Sequence, residues 1–257
     1  LVGVHYAKGL ALSLNKPLVP VNHVHAHIYG ALLDTELHQK DLFPSLAVVA
    51  SGGHTNLYYM RSPLEFELIG FTIDDACGES FDKVAKLLEM GFPGGPAIEK
   101  AAQYGDPDRF PMPKVMVGSN DLNVSYSGLK THIVNFIKKN PNLSVQDKND
   151  LSAAFQKEAL SQLVRKIKHA YELYPKAKSL IIAGGVSANQ VFKSMLEKDL
   201  SGVKIVFPKL KYCSDNAAMI AALGYYEFQS ATESKEFFHY GWEAYAQYPF
   251  QTYLARV

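Results

Sequence analysis

Several things are scarce in this sequence, and each shortage excludes a class of protein. Only two cysteines, Cys77 and Cys213, occur in 257 residues. They lie far apart and form no CxxC pair, which argues against a disulfide scaffold and a cysteine zinc knuckle and suits a reducing, cytoplasmic setting. No apolar run reaches the ~18 residues of a membrane span, and no basic-then-apolar signal segment opens the chain, so no membrane partner is expected. Neither sign of charge is in excess. With 26 Lys+Arg against 25 Asp+Glu the net charge is +1, so any contact with nucleic acid needs a local patch. Fixed-period repeats, low-complexity segments and the HExxH and GxSxG motifs are all missing. What is present, 47% hydrophobic and 20% charged residues, is ordinary globular composition with chain enough for one large or two modest domains. The first residues, "LVGVHYAKGLALSL", read as the interior of an apolar α/β unit, which predicts that an N-terminal piece precedes Leu1.

The pattern from Val4 to Leu14 suits a helix, and "KPLVPV" (16–21) reads as a short buried strand. Asn22 then stands where a helix N-cap belongs. Val24, Ile28, Ala31 and Leu32 follow at i, i+4, i+7 and i+8, the apolar stripe of a helix. This settles how "HVHAH" (23–27) is to be read. On a strand all three histidines would share one face. On a helix, at about 100° per residue, His23 and His27 fall about 40° apart and His25 points nearly opposite. The stripe favours the helix, leaving a pair and a remainder.

"SLAVVASGGHTNLYYM" (45–60) reads as strand, glycine turn, strand, and "SLIIAGGVSANQVFKSML" (179–196) as a strand running through Gly184 and Gly185 into a helix. Two apolar strands ending in paired glycines suggest two phosphate or nucleotide contacts. Between them lie helical stretches at "DDACGESFDKVAKLLEM" and 151–174, the breaker "GFPGGP" (91–96) and a polar linker at 139–150. "VKIVFP" (203–208) reads as a further strand before "KLKYCSDNAAMIAALGYY", a loop entering an apolar helix.

An i, i+4 histidine pair can converge on a metal, although such histidines also occur on helices that bind nothing. The best third ligand is Asp215, at the start of the apolar helix; the alternative is that it simply caps that helix. Two histidines and a carboxylate suit divalent iron or zinc. "SGGHT" either donates backbone N–H groups to a phosphate or is a plain hairpin turn. Asp82 and Glu99 flank the glycine breaker and either bind ribose hydroxyls or are helix-surface carboxylates. Lys157, Arg165, Lys166, Lys168, Lys176 and Lys178 form the densest basic stretch, either a contact for RNA phosphates or a solvated face.

Taken in order, "HVHAH", "VASGGHTNL", "DDACGESFDKVAKLL" with "GFPGGPAIEK", "SYSGLKT", "AGGVSAN" and "CSDNAAMIA" resemble the TsaD/Gcp family, the tRNA threonylcarbamoyl transferases, over roughly residues 1–224. "SGGHT" is the bacterial form of its turn. The resemblance implies an α/β, actin-like ATPase fold with two lobes around a nucleotide cleft. Residues 1–40 would be the remnant of an incomplete first lobe, 41–224 the second lobe with a helical insertion at about 76–175, and 225–257 a C-terminal segment. It implies transfer of threonylcarbamoyl from threonylcarbamoyl-adenylate to N6 of the adenosine beside the anticodon in tRNAs reading ANN codons, with release of AMP.

By position, the resemblance makes His23, His27 and Asp215 the ligands of one divalent metal, iron in preference to zinc. It makes Val49, Ala50, Ser51, Gly52, Gly53, Asp82, Gly95, Glu99 and Asn189 the contacts of an adenylate or ATP-type nucleotide. No general base is assigned. Implied partners are tRNA, a TsaB-like paralogue and a TsaE-like ATPase. His25 stands where the family has Glu, and Glu99 where bacterial members have Asp. The family's opening hairpin, with a "GIETSCDDT"-like stretch facing the phosphates, has no counterpart before Leu1, so the chain is expected to be inactive alone. The aromatic-rich tail 236–257 departs from the family and is expected to cover the lobe or a partner surface. Other readings are a metal-dependent O-carbamoyltransferase of the same fold and an inactive scaffold.

Overall fold

The computed structural model describes residues 2–35, 41–231, 237–238 and 240–244. Helix α1 spans Val2–Ser13 and α2 spans His23–Leu32. Strands β1 (Ser45–Ala50), β2 (Thr55–Met60) and β3 (Phe66–Phe71) follow, then helices α3 (Cys77–Leu87), α4 (Gly94–Ala102), α5 (Ser127–Lys139) and α6 (Val145–Leu173). Strand β4 (Ser179–Ala183), helix α7 (Gln190–Asp199), strand β5 (Lys204–Val206) and helix α8 (Ala217–Ser230) complete the order. The described strands form one sheet in the order β3-β2-β1-β4-β5. β1, β2 and β3 run antiparallel, while β4 and β5 run parallel to β1 and its neighbour.

β1 lies at the centre, and every one of its residues is buried, which is why its sequence is a continuous apolar run rather than an alternating one. Its side chains nonetheless divide by the period of two. Leu46, Val48 and Ala50 face a core shared with α3 to α7, whereas Ala47 and Val49 face a second core with α2 and α8. Helices therefore cover both faces. α2, assigned from sequence to a remnant of the first lobe, packs on this sheet through Ala26, Ile28 and Tyr29. The boundary expected at residue 40 falls beside residues 36–40, which lie outside the described set. The expected C-terminal segment begins inside α8, and its residues 245–257 also lie outside it.

Asparagine starts three of the helices that frame the strand ends. Asn22 accepts from the Val24 and His25 amides, Asn189 from Phe192 and Asn216 from Met219, each satisfying donors that have no partner within the helix.

Two sequence expectations fail on local chemistry. Residues 16–21 form no strand of the sheet; Pro17 and Pro20 have no N–H to give to a ladder. The supposed polar linker 139–150 is in its second half the start of α6. Ser144 and Asp147 form a capping box, and the buried Asp150 accepts from the Asp106 amide and Arg109. β3 was not anticipated, although Phe66 and Leu68 lie on one face and Ile69 on the other.

Candidate functional site

The helical reading of "HVHAH" decides which imidazoles meet. Once Asn22 has fixed the start of α2, His23 and His27 are one turn apart, with ring centroids separated by 5.0 Å. Across from them, the loop before α8 delivers Asp215. Its Oδ1 lies 3.5 Å from His23 Nε2 and 3.1 Å from His27 Nε2. Asn216, not Asp215, caps α8, so the Asp215 carboxylate is left for the histidines. A glycine lets these walls approach. A Cβ at Gly30 of α2 would stand 3.3 Å from the Tyr212 carbonyl oxygen and 3.4 Å from Met219 Cβ.

Two imidazole nitrogens and a carboxylate oxygen within 4.8 Å of one another are a donor set that fits divalent iron or zinc by type, and the two contacts to Asp215, at 3.5 and 3.1 Å, are near the roughly 3 Å that bonds of about 2.0–2.2 Å put between neighbouring ligand atoms. His27 Nδ1 is buried with no hydrogen-bond partner among the described residues. Burial lowers the His27 pKa, with the neighbouring His23 acting in the same direction and Asp215 opposing. A lowered value keeps the imidazole neutral and its lone pair available.

His25 turns to the other side. It is buried, stacked on Phe66 at 4.1 Å between centroids and edge-on to Tyr58 at 5.2 Å. Desolvation lowers its pKa to about 4.

One neighbour escaped the sequence reading. "SGGHT" was read for its backbone only, yet the His54 side chain is electrostatically coupled to His23 and Asp215, and burial first, then His23, lowers its pKa. A histidine immediately after a glycine turn was the available signal. The turn itself is closed by the Ser51 amide donating to the His54 carbonyl at 2.8 Å and by the His54 amide donating to Ser51 Oγ at 3.2 Å. Gly52 and Gly53 have open space where a Cβ would stand.

The remaining candidates ring this turn. Val49 and Ala50 are fully buried and can offer only backbone. α3 starts against the turn: the Gly78 amide donates to the Ser51 carbonyl at 3.1 Å, and a Cβ at Gly78 would meet that oxygen at 2.6 Å. At the end of β4, Gly184 has φ +85°, and a Cβ there would stand 2.4 Å from the Ala50 carbonyl oxygen. This crossing brings the 3-10 turn Gly185–Ala188, which leads into α7, next to the end of β1. Asp82 Oδ1 accepts from the Gly94 amide at 2.7 Å, and Glu99 Oε1 accepts from the Gln190 amide at 2.7 Å. Both carboxylates thus hold the loops together with one oxygen. Gly95 is open where a Cβ would be, and the Asn189 amide group donates to Gln156.

The basic stretch is mostly neutralised. Lys157 pairs with Asp108, Arg165 with Glu158 and Lys168 with Asp199. Lys166 is buried and donates to the Ser119 and Asp121 carbonyls. Cys77 and Cys213 are both free and buried. Among the described residues no helix is long and apolar enough to cross a membrane.

Comparison with known proteins gives a consistent result. The family model described as "TsaD: tRNA N6-adenosine threonylcarbamoyltransferase" matches residues 1–222. A curated protein of that name from Syntrophomonas wolfei is 43% identical over 230 residues, covering 89% of this chain and 67% of its own length. Those from Nitratiruptor and Bacillus subtilis are each 42% identical, covering 86% and 89% of this chain and 66% of their own lengths. The chain therefore spans about two thirds of the length of these relatives. Among solved structures, T. kodakarensis HypF superposes with a TM-score of 0.62 at 16% identity, over 85% of this chain and 38% of that one. That likeness speaks for the fold alone, the α/β architecture of actin-like ATPases.

Proposed function

The chain belongs to the family of tRNA N6-adenosine threonylcarbamoyltransferases, and from that premise we propose that it transfers threonylcarbamoyl from threonylcarbamoyl-adenylate to N6 of the adenosine beside the anticodon in tRNAs reading ANN codons, with AMP as leaving group. The observation that carries this reading is the meeting of His23, His27 and Asp215 beside a glycine turn bordered by helix starts. These three residues would hold one divalent ion, iron in preference to zinc; when bound, it would polarise the carbamoyl carbonyl toward the weakly nucleophilic adenine amine.

The chain's own groups do the rest. Open glycines at 52 and 53 let the adenylate phosphate come close to backbone N–H groups, and the start of α3 adds the positive end of its dipole, stabilising charge on departing AMP. Asp82 and Glu99 each retain one carboxylate oxygen for ribose hydroxyls. Asn189, fixed by Gln156 and by its capping bond, holds the second glycine turn in place. The family's TsaB-like paralogue and TsaE-like ATPase complete the system in the cytoplasm, a setting in keeping with two free cysteines.

The test combines the full-length protein with both partners, ATP, threonine, bicarbonate and unmodified tRNA, with nucleosides analysed by mass. Threonylcarbamoyl-adenosine should form with the wild type and not with His27→Ala. Absence of product beside an active reference enzyme would refute the proposal.

A further inference from the structure

The face around the histidine–carboxylate cluster is open. The side chains of His23 and Asp215 are 49% and 74% exposed, and Ser214, Ala217 and Ala218 beside them lie at the surface. Residues 209–215 run back along α2 toward this opening. Lys209 Nζ stands 3.1 Å from Asp34 Oδ2 just beyond the end of that helix, the Tyr212 carbonyl lies against Gly30, and Asp215 reaches His23 and His27. Residues 209, 210 and 211 are all exposed. The loop is thus a rim that carries two lysines, Lys209 and Lys211, between the end of α2 and the cluster.

These lysines differ from the basic stretch of α6, where Lys157, Arg165 and Lys168 each face a carboxylate and Lys166 is buried. That helix also packs in the core on one face of the sheet, whereas α2 and α8 pack on the other. A base delivered to the histidines therefore arrives on the side away from α6. On the rim, Lys211 Nζ sits 4.6 Å from the centre of the Tyr212 ring, and contact with Tyr212 raises its pKa. The ring steadies a charged ammonium, which lessens the rotamer freedom lost when that group takes a ligand. The Lys209–Asp34 pair is exposed on both sides. Such pairs contribute little, so Lys209 can exchange its carboxylate for a phosphate.

We propose that Lys209 and Lys211 form an RNA-docking rim, each taking a backbone phosphate of the strand that carries the acceptor base to the histidine cluster; the proposal rests on the tRNA reading above. Phosphate contacts fix register and orientation and carry no sequence information. That suits a rim whose task is to present one unstacked base from a single-stranded loop.

Binding of unmodified tRNA to the full-length protein with its paralogue partner, measured between about 50 and 200 mM salt, tests it. Each phosphate contact contributes roughly 0.7–0.9 to the slope of log affinity against log salt. Lys209→Ala/Lys211→Ala should therefore make the slope shallower by about 1.5 and weaken binding about tenfold at the low-salt end. Lys209→Arg/Lys211→Arg should preserve both, Lys157→Ala/Lys168→Ala should behave as wild type, and metal retention should be the same in all. An unchanged slope in the rim variant, while the wild type binds and modifies tRNA, overturns the rim and leaves the functional reading standing. A slope lost only in Lys157→Ala/Lys168→Ala overturns it in favour of α6. Weakened binding accompanied by loss of metal overturns it too, by assigning the loop to the support of Asp215. Failure of the wild type to bind tRNA would sink both.

Discussion

His25 and His27 are both buried on one helix, 7% and 2% exposed, yet their surroundings assign them opposite chemistry. His25 is packed against Phe66 and Tyr58 from the neighbouring strands and fills space as an aromatic ring. His27 looks across the helix–loop gap at a carboxylate that is 74% exposed. Burial holds both imidazoles toward the neutral form. Neutrality therefore does not separate the two histidines; what each ring faces does. A density of histidines in a motif overstates the number that can share an ion, and the helical rotation between them corrects the count.

The comparison breaks most readily at the metal. After equilibration with ferrous or zinc ions and dialysis, the wild type should retain the metal, and His27→Ala should lose it with an affinity fall beyond ~100-fold, since even groups that merely orient a ligand cost 10–100-fold. His25→Phe should retain it; equal loss in both variants would abolish the distinction between the two sides of α2.

A smaller effect sharpens the other side. The His25 pKa of about 4 lies below the ~6.5 of an unfolded chain, so between these values the unfolded state binds a proton that the folded state refuses. Stability is full above about pH 6.5 and declines toward pH 4, by about 3 kcal/mol if this one group acts alone. Urea unfolding of the metal-free protein across this range should show the slope, and His25→Phe should flatten it. An unaltered slope would mean that other groups carry the acid sensitivity.

The smallest effect concerns what both sides share. Asn22→Ala removes the cap of α2 and should cost about 1 kcal/mol in thermal or urea unfolding. Metal retention should persist, because the rotation between His25 and His27 belongs to the helix and not to its cap. Loss of metal in this variant would show that the cap sets the ligand geometry.

Much of this contrast was legible in advance, and its limits are physical. Spacing and the apolar stripe were enough to place α2 and to separate His25 from its neighbours, because helical rotation is a local property. The partners of each face were not readable: Phe66 lies on a strand that went unanticipated, and Tyr58 was seen only as part of an apolar run. Whether Asp215 capped its helix or faced the histidines could not be decided by residue type, since Asn216 beside it caps equally well and did so. His54 was hidden by the glycines before it, which drew attention to the backbone. The glycine turns were recognised as turns. That Gly184 exists to let two backbones cross at Ala50 required coordinates.

Gly30 gives the candidate site a dimension as well as a shape. The missing methyl group there lets the α2 wall rest against Tyr212 and Met219, and so sets how far the imidazoles stand from the loop that carries Asp215. Adding a methyl at those separations would move the walls by a few tenths of an ångström. A residue outside the histidine–carboxylate cluster thus sets the gap between its two walls, as a shim sets the spacing of two plates.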